Sequence, residues 1–319
     1  MATPPEDGEL ETLLEYVKER RNFDFRGYKR ASLTRRIVKR MQALGVDGYQ
    51  RYTEILEANP GEFADLFNTI LINVTAFLRD REAWTALEET VIPRIVKDKG
   101  PGEPVRVWSA GCASGEEVYS LAVLLAEAFG EERFRQSVKI YATDADEDAL
   151  ADARRGRYRY QTVVDAFGVG RTRRFFDSDG EDGVFRGDLR RALIFGRHDL
   201  VQDPPISRID LLTCRNTLMY FTAEVQAKIL ASFQFALNPG GYLFLGRSEA
   251  LMTRTQMFEV VNLPQHILRK EGAAADLLAA APAPPARTDG PAHSDGHRPP
   301  EALFEQNVVA QVMLDASGN

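Results

Sequence analysis

Residues 105–120 read VRVWSAGCASGEEVYS, and this stretch decides the fold. Val105, Val107 and Trp108 lead, as a strand would, into a turn of small residues, Gly111, Ala113 and Gly115. So little side chain over five positions would let backbone approach a ligand closely. Glu116 and Glu117 open an apolar-periodic run, Val118, Leu121, Leu124 and Leu125, which predicts a helix. Strand, glycine turn and helix make either an ordinary βα connection or the start of a nucleotide-binding α/β unit.

The next strand bears on that choice. Residues 137–146, SVKIYATDAD, end in acids, and Asp144 lies 33 positions after Gly111. An acid at the end of a second strand can accept hydrogen bonds from both ribose hydroxyls. The interval is longer than in dinucleotide sites, and the turn is GCASG rather than GxGxxG. A pyrophosphate needs a free helix N-terminus, and here two carboxylates occupy it. A cationic adenosine ligand without phosphate fits better, with S-adenosylmethionine the candidate.

Outward from this unit, residues 83–270 alternate strand and helix. Strands are expected at 105–109, 138–142, 192–195, 209–213 and 242–246, with helices near 115–129, 146–155, 162–176 and 222–237. Thr222 reads as an N-cap and Asn238–Gly241 as a stop. Two late β runs, about 256–261 and 265–270, predict a closing antiparallel hairpin. The pattern predicts a mostly parallel, doubly wound α/β sheet. Segment 177–191, polar and glycine-rich, reads as a small inserted hairpin or loop. Residues 1–82 form a helical N-terminal domain. Leu33, Ile37, Met41 and Leu44 make the core stripe of one helix, which Gly45 stops. Residues 271–300 are an Ala/Pro-rich flexible linker. Residues 301–319 resemble the opening of a PAS sensory domain.

Composition limits the function classes. The chain has 319 residues and a net charge of −7, with no apolar run long enough to span a membrane. Its N-terminus lacks the shape of a signal peptide. Cys112 and Cys214 read as small buried thiols, which suits a reducing cytoplasm. The four histidines show no metal spacing, so no metal is expected. Charge is uneven: Lys18–Arg40 holds ten Lys or Arg against two acids, a local +8. Such a patch implies an acidic partner. Arg79, in 73–79 (NVTAFLR), carries a guanidinium able to grip a ligand carboxylate. Residues 209–221, IDLLTCRNTLMYF, form a buried strand ending in Arg215, Asn216 and then Tyr220.

Taken together, RRIVKRMQALG, NVTAFLR, VWSAGCASGEEVYS, ATDAD, LLTCRNTLMYF and GGYLFLGRSE resemble the chemotaxis receptor glutamate O-methyltransferases, the CheR family. The resemblance covers roughly residues 9–270. It implies a Rossmann-like class I methyltransferase fold with a seven-stranded sheet and a late antiparallel hairpin. It also implies S-adenosylmethionine as donor, S-adenosylhomocysteine as product, and receptor glutamate γ-carboxylates as acceptors. By motif the cofactor residues are Asn73, Thr75, Arg79, Glu117, Asp144, Asp199, Leu200, Arg215 and Asn216; Asp199 stands where an asparagine is associated with the motif. Arg79 and Tyr220 take the catalytic positions. Arg36, Lys39 and Arg40, read as an outward-facing row, are assigned to docking the acidic cytoplasmic helical bundle of a chemoreceptor. The expected protein is a cytoplasmic monomer that binds no nucleic acid and inserts no segment into a membrane. The acidic insert DSDGEDG argues against tethering of an acidic receptor tail. Two other readings stay open: a non-catalytic signalling module, and a nucleic-acid methyltransferase using the basic arm on phosphate. An NAD-dependent oxidoreductase is disfavoured by the turn and its acids.

Overall fold

The computed structural model describes residues 7–21, 23–71, 73–249 and 258–271. The linker beyond Glu271 and the PAS-like segment lie outside them. Four helices come first: α1 (Asp7–Arg21), α2 (Arg30–Ala43), α3 (Tyr49–Ala58) and α4 (Pro60–Ile70). A second group begins with α5 (Arg81–Ala86), which continues through a π turn into α6 (Ile92–Asp98). Then follow β1 (Val105–Ala110), α7 (Glu116–Phe129), α8 (Glu131–Ser137), β2 (Val138–Asp144), α9 (Glu147–Arg155), β3 (Arg157–Arg159) and α10 (Tyr160–Phe175). The chain continues with β4 (Phe176–Asp179), β5 (Asp182–Phe185), α11 (Gly187–Arg190), β6 (Leu193–Arg197) and β7 (Ile209–Cys214). It closes with α12 (Ala223–Ala236), β8 (Leu237–Leu245), β9 (Phe258–Asn262) and β10 (Ile267–Lys270).

The main sheet has seven strands in the order β6-β2-β1-β7-β8-β10-β9. From β6 to β8 neighbours are parallel, and β10 pairs antiparallel with both β8 and β9. Successive side chains of β1 enter opposite layers, as the two-residue repeat of a strand requires. Val105 and Val107 join the core under α7, whereas Trp108 and Ala110 join the core under α12. Every residue of β7 is buried, which explains its unbroken IDLLTC run. The chain winds from β1 outward to β2 and β6, then returns to β7 on the other side. Strand order therefore reverses between β1 and β7, and such a switch point leaves a crevice at the carboxyl ends of the strands.

The insert is larger than a hairpin. β4 and β5 form the expected turn, but β3 pairs with β5 to make a three-stranded antiparallel sheet, β3-β5-β4. α12 ends at Ala236, just before Asn238–Gly241, which itself lies within β8.

The first four helices enclose their own core around Leu13, Leu14, Leu33, Ile37, Tyr52 and Leu66. α2 buries Leu33, Ile37 and Met41. Leu44, expected in that stripe, is instead 39% exposed, because α2 ends at Ala43 and the chain turns away at Gly45 (φ 66°). This bundle is stitched to the sheet side. The Lys29 N–H donates to the Tyr220 carbonyl (2.8 Å), and the Thr222 N–H donates to the Gly27 carbonyl (3.0 Å). The Tyr28 and Phe221 rings lie 4.6 Å apart.

Candidate active site

The switch-point crevice is a cleft of two joined lobes. Gly111, Ala113, Asn216, Thr217 and Tyr220 line both. The polar lobe adds Thr75, Arg79, Glu117 and Arg215. The more apolar lobe adds Phe23, Tyr28, Asn73, Asp144, Asp199 and Leu200. All nine sequence-assigned cofactor residues, together with Tyr220, therefore border one cleft.

The turn after β1 is shaped by hydrogen bonds to β2. The Gly111 and Cys112 N–H groups donate to the Thr143 carbonyl (2.8 and 3.0 Å). The Ala113 N–H donates to Asp144 Oδ2 (2.8 Å) and the Asp146 N–H to Asp144 Oδ1 (3.0 Å). Each Asp144 oxygen accepts one of these bonds and has a further lone pair, so the carboxylate can still receive two ribose hydroxyls. Burial pushes the Asp144 carboxyl above the ordinary Asp value, against the pull of the two N–H donors. Burial likewise raises Asp199, opposed by backbone donors at Val201 and Gln202. Both acids stand on the lobe that a nucleoside would fill.

The glycines also serve the packing of the turn. A Cβ at Gly111 (φ 77°) would collide with the Thr217 side chain. One at Gly115 (φ 95°) would meet Ala153 Cβ and the Tyr158 hydroxyl at 2.9 Å each. Both glycines let neighbouring elements close on the turn.

In the polar lobe, Glu117 is fixed from behind. Ser109 Oγ (2.9 Å) and Thr213 Oγ1 (2.6 Å) donate to its Oε1. Arg215 is buried: its Nη2 pairs with Asp80 (2.9 Å), and its guanidinium carbon lies 4.7 Å from the Phe244 ring centroid. Arg79 is half-buried and donates to the Val74 carbonyl (2.9 Å). Asn73 Nδ2 donates to Asp146 Oδ2 (2.6 Å), tying the linker between the domains to the end of β2.

Four non-glycine residues near the cleft hold left-handed backbone: Leu78 (φ 48°), Asp80 (φ 63°), Ala113 (φ 46°) and Asn216 (φ 61°). Each such residue costs on the order of 1–3 kcal/mol and persists where surrounding structure fixes it. Ser120 Oγ accepts from the Leu78 N–H, Asp80 holds Arg215, and Asp144 holds the Ala113 N–H. Beside Asn216, the Thr217 N–H donates to buried Glu249 (2.8 Å). Glu249 and Thr217 lie in the motifs GRSE and CRNT but carried no role from sequence. Tyr28 and Phe23 gave no signal, because their site neighbours are distant in the chain.

The docking row is corrected in part. Lys39 is exposed, as is Arg35. Arg40 does not face solvent freely: it forms a fork to Glu62 (2.7 and 2.6 Å) and reaches Asp65 (2.5 Å). Arg36 donates to the Ile70 carbonyl and stacks on the Tyr220 ring. Both residues flank the apolar stripe one position before Ile37 and Met41, and so turn toward α4 and the domain junction.

Cys112 and Cys214 are buried and unpaired, and burial raises both thiols well above their ordinary value. They are packing groups rather than nucleophiles.

Comparison with known proteins agrees with this geometry. Residues 8–71 match the family described as CheR methyltransferase, all-alpha domain; residues 73–267 match CheR methyltransferase, SAM binding domain. The chain is 34% identical over 236 residues to the chemotaxis protein methyltransferase of Listeria innocua, covering 74% of this chain and 87% of that protein. It is 31% identical over 275 residues to the chemotaxis protein methyltransferase of Salmonella typhimurium, covering 84% and 92%. An uncharacterized 104.1 kDa protein of Rhodobacter capsulatus is 38% identical over 244 residues, covering 76% of this chain but 26% of that protein. The chain thus spans about a quarter of that relative's length. A sheet that opens a crevice between β1 and β7 and two adjoining family matches lead to one assignment: the chain belongs to the CheR methyltransferases and uses S-adenosylmethionine.

Proposed function

We propose that the chain methylates glutamate γ-carboxylates on the cytoplasmic helical bundle of chemoreceptors. The observation that carries this reading is the division of the cleft. Asp144 and Asp199 stand on the apolar lobe, Arg79 and Glu117 on the polar lobe, and Tyr220 borders both. When bound, S-adenosylmethionine supplies an electrophilic sulfonium methyl. Asp144 would hold the ribose, Leu200 and Asp199 would border the base, and Glu117 and Arg79 would hold the ammonium and carboxylate of the amino-acid end. A glutamate side chain, with an ordinary pKa of about 4.3, is already anionic at neutral pH. The chain therefore supplies orientation and desolvation rather than a base, and orientation of this kind contributes roughly 7–11 kcal/mol. Tyr220 is assigned to the acceptor side, at the junction of the lobes.

On this reading the helical bundle offers exposed Arg35 and Lys39 to the acidic receptor. The domains divide near residues 82 and 270, and the site of action is the cytoplasm. No helix among the described residues is long and apolar enough to cross a membrane. The test is incubation with receptor-bearing membranes and methyl-labelled S-adenosylmethionine. Base-labile label released as methanol is the expected result; label stable to base, or none transferred, would refute carboxyl methylation.

A further inference from the structure

We infer that Arg36 is a positioning residue that holds the Tyr220 ring in its working orientation. The inference rests on the assignment of Tyr220 to the acceptor side of the cleft. The Arg36 guanidinium carbon lies 4.9 Å from the centroid of the Tyr220 ring. Its Nη1 donates to the carbonyl of Ile70, the last residue of α4. Carbonyls at a helix C-terminus have no partner within the helix, so this bond anchors the guanidinium and fixes the plane it presents to the ring. Arg36 is half-buried, unlike its exposed neighbours Arg35 and Lys39.

The backbone of Tyr220 is held from the same side. Its carbonyl accepts the Lys29 N–H (2.8 Å), and the next residue, Phe221, bridges to Tyr28. Tyr220 ends a single 3₁₀ turn, Leu218–Tyr220, too short to orient a side chain by itself. Main-chain contacts from Lys29 fix where the residue sits, and the stacked guanidinium fixes how the ring is turned. Because Tyr220 lines both lobes, a swing of its side chain about the Cα–Cβ bond would move the hydroxyl across their junction. The helical bundle thereby sets the geometry of a residue on the sheet side.

A positioning role and a docking role separate kinetically. At saturating S-adenosylmethionine, Arg36→Gln should lower kcat for receptor methylation about tenfold, the scale of a lost cation–π contact. KM for receptor and affinity for S-adenosylmethionine should both stay within about twofold. Arg36→Lys, which retains a cation, should recover part of the rate and serves if the glutamine variant does not fold. In a Tyr220→Leu background, Arg36→Gln should have no further effect on kcat, since residues acting through one group are not additive. A raised KM with intact kcat would make Arg36 a docking residue and overturn the inference. So would losses that multiply in the double variant. A fully active Tyr220→Leu would instead remove the acceptor-side role of Tyr220, and the inference with it.

Discussion

Asp144 faces two demands. Two backbone N–H groups hold its carboxylate in place, and its remaining lone pairs are the acceptors proposed for a ribose. Asp144→Asn turns one acceptor into a donor without changing size. Hydrogen bonds to a charged group contribute about 1.5–3 kcal/mol, so affinity for S-adenosylmethionine should fall at least about tenfold by calorimetry. Unchanged affinity in the folded variant would contradict the ribose assignment. The raised values of Asp144 and Asp199 add a pH dependence. Protonation removes acceptor capacity, so S-adenosylmethionine should bind more weakly as pH falls through a window above the ordinary Asp value of about 3.9. The stability of the unliganded protein moves the other way. Between the unfolded and the raised folded pKa, the folded state binds more protons at these two acids. Their contribution to stability therefore declines as pH rises through that window. Calorimetric titration at stepped pH checks the binding arm; an affinity flat down to about pH 4 would contradict it.

At the level of elements, α2 shows what sequence can and cannot reveal. Leu33, Ile37 and Met41 recur every four residues, so the buried stripe was legible. Charge on either side of a stripe reads the same whether it meets water or another helix. Arg40 looks like Lys39 in sequence, yet Lys39 is exposed and Arg40 pairs with Glu62, which is only 2% exposed. Burial pushes Glu62 up, but hydrogen bonds from Arg40 and Tyr52 and the Arg40 charge hold it below its ordinary value. Its stabilising contribution is thus present above the unfolded pKa and lost as pH falls through the folded one. Arg40→Met would leave that carboxylate uncompensated. Breaking a fully buried pair costs about 3–5 kcal/mol; with Arg40 itself partly exposed, about 2–3 kcal/mol is expected from urea unfolding. A loss below about 0.5 kcal/mol would show that the pair is a surface contact. Arg35→Glu with Lys39→Glu should leave stability nearly unchanged. It should raise KM for receptor, and the wild-type advantage should shrink with salt as a Debye length of about 10 Å at 0.1 M shortens. Equal KM for variant and wild type at low salt would remove α2 from the docking surface.

Across the whole molecule, the legible parts were those written in contiguous sequence. β1 with its turn and α7, the acids closing β2, and the buried run of β7 each carry a local period or a local motif. Their convergence followed from the rule that parallel strands end on one edge. The contributions of Tyr28, Phe23 and Glu249 depend on chain segments that meet only after folding, and no period marks them. The small sheet belongs to this class too: the Tyr158 hydroxyl of β3 donates to the Ser114 carbonyl (2.6 Å), linking the insert to the turn after β1. The helical bundle, the sheet and the insert all contact the cleft or its turn, so chemistry there depends on all three.

The proposed activity directs a methyl group from this cleft to a receptor carboxylate. Its most direct test is peptide-level mass spectrometry of a receptor cytoplasmic fragment after incubation with the chain and S-adenosylmethionine, with the Tyr220→Phe variant run alongside. Methyl esters on glutamate side chains of the helical bundle are the expected result. They should form more slowly with Tyr220→Phe, at unchanged S-adenosylmethionine affinity. No modified glutamate with the wild-type chain, or methyl groups found only on other residue types, would contradict it.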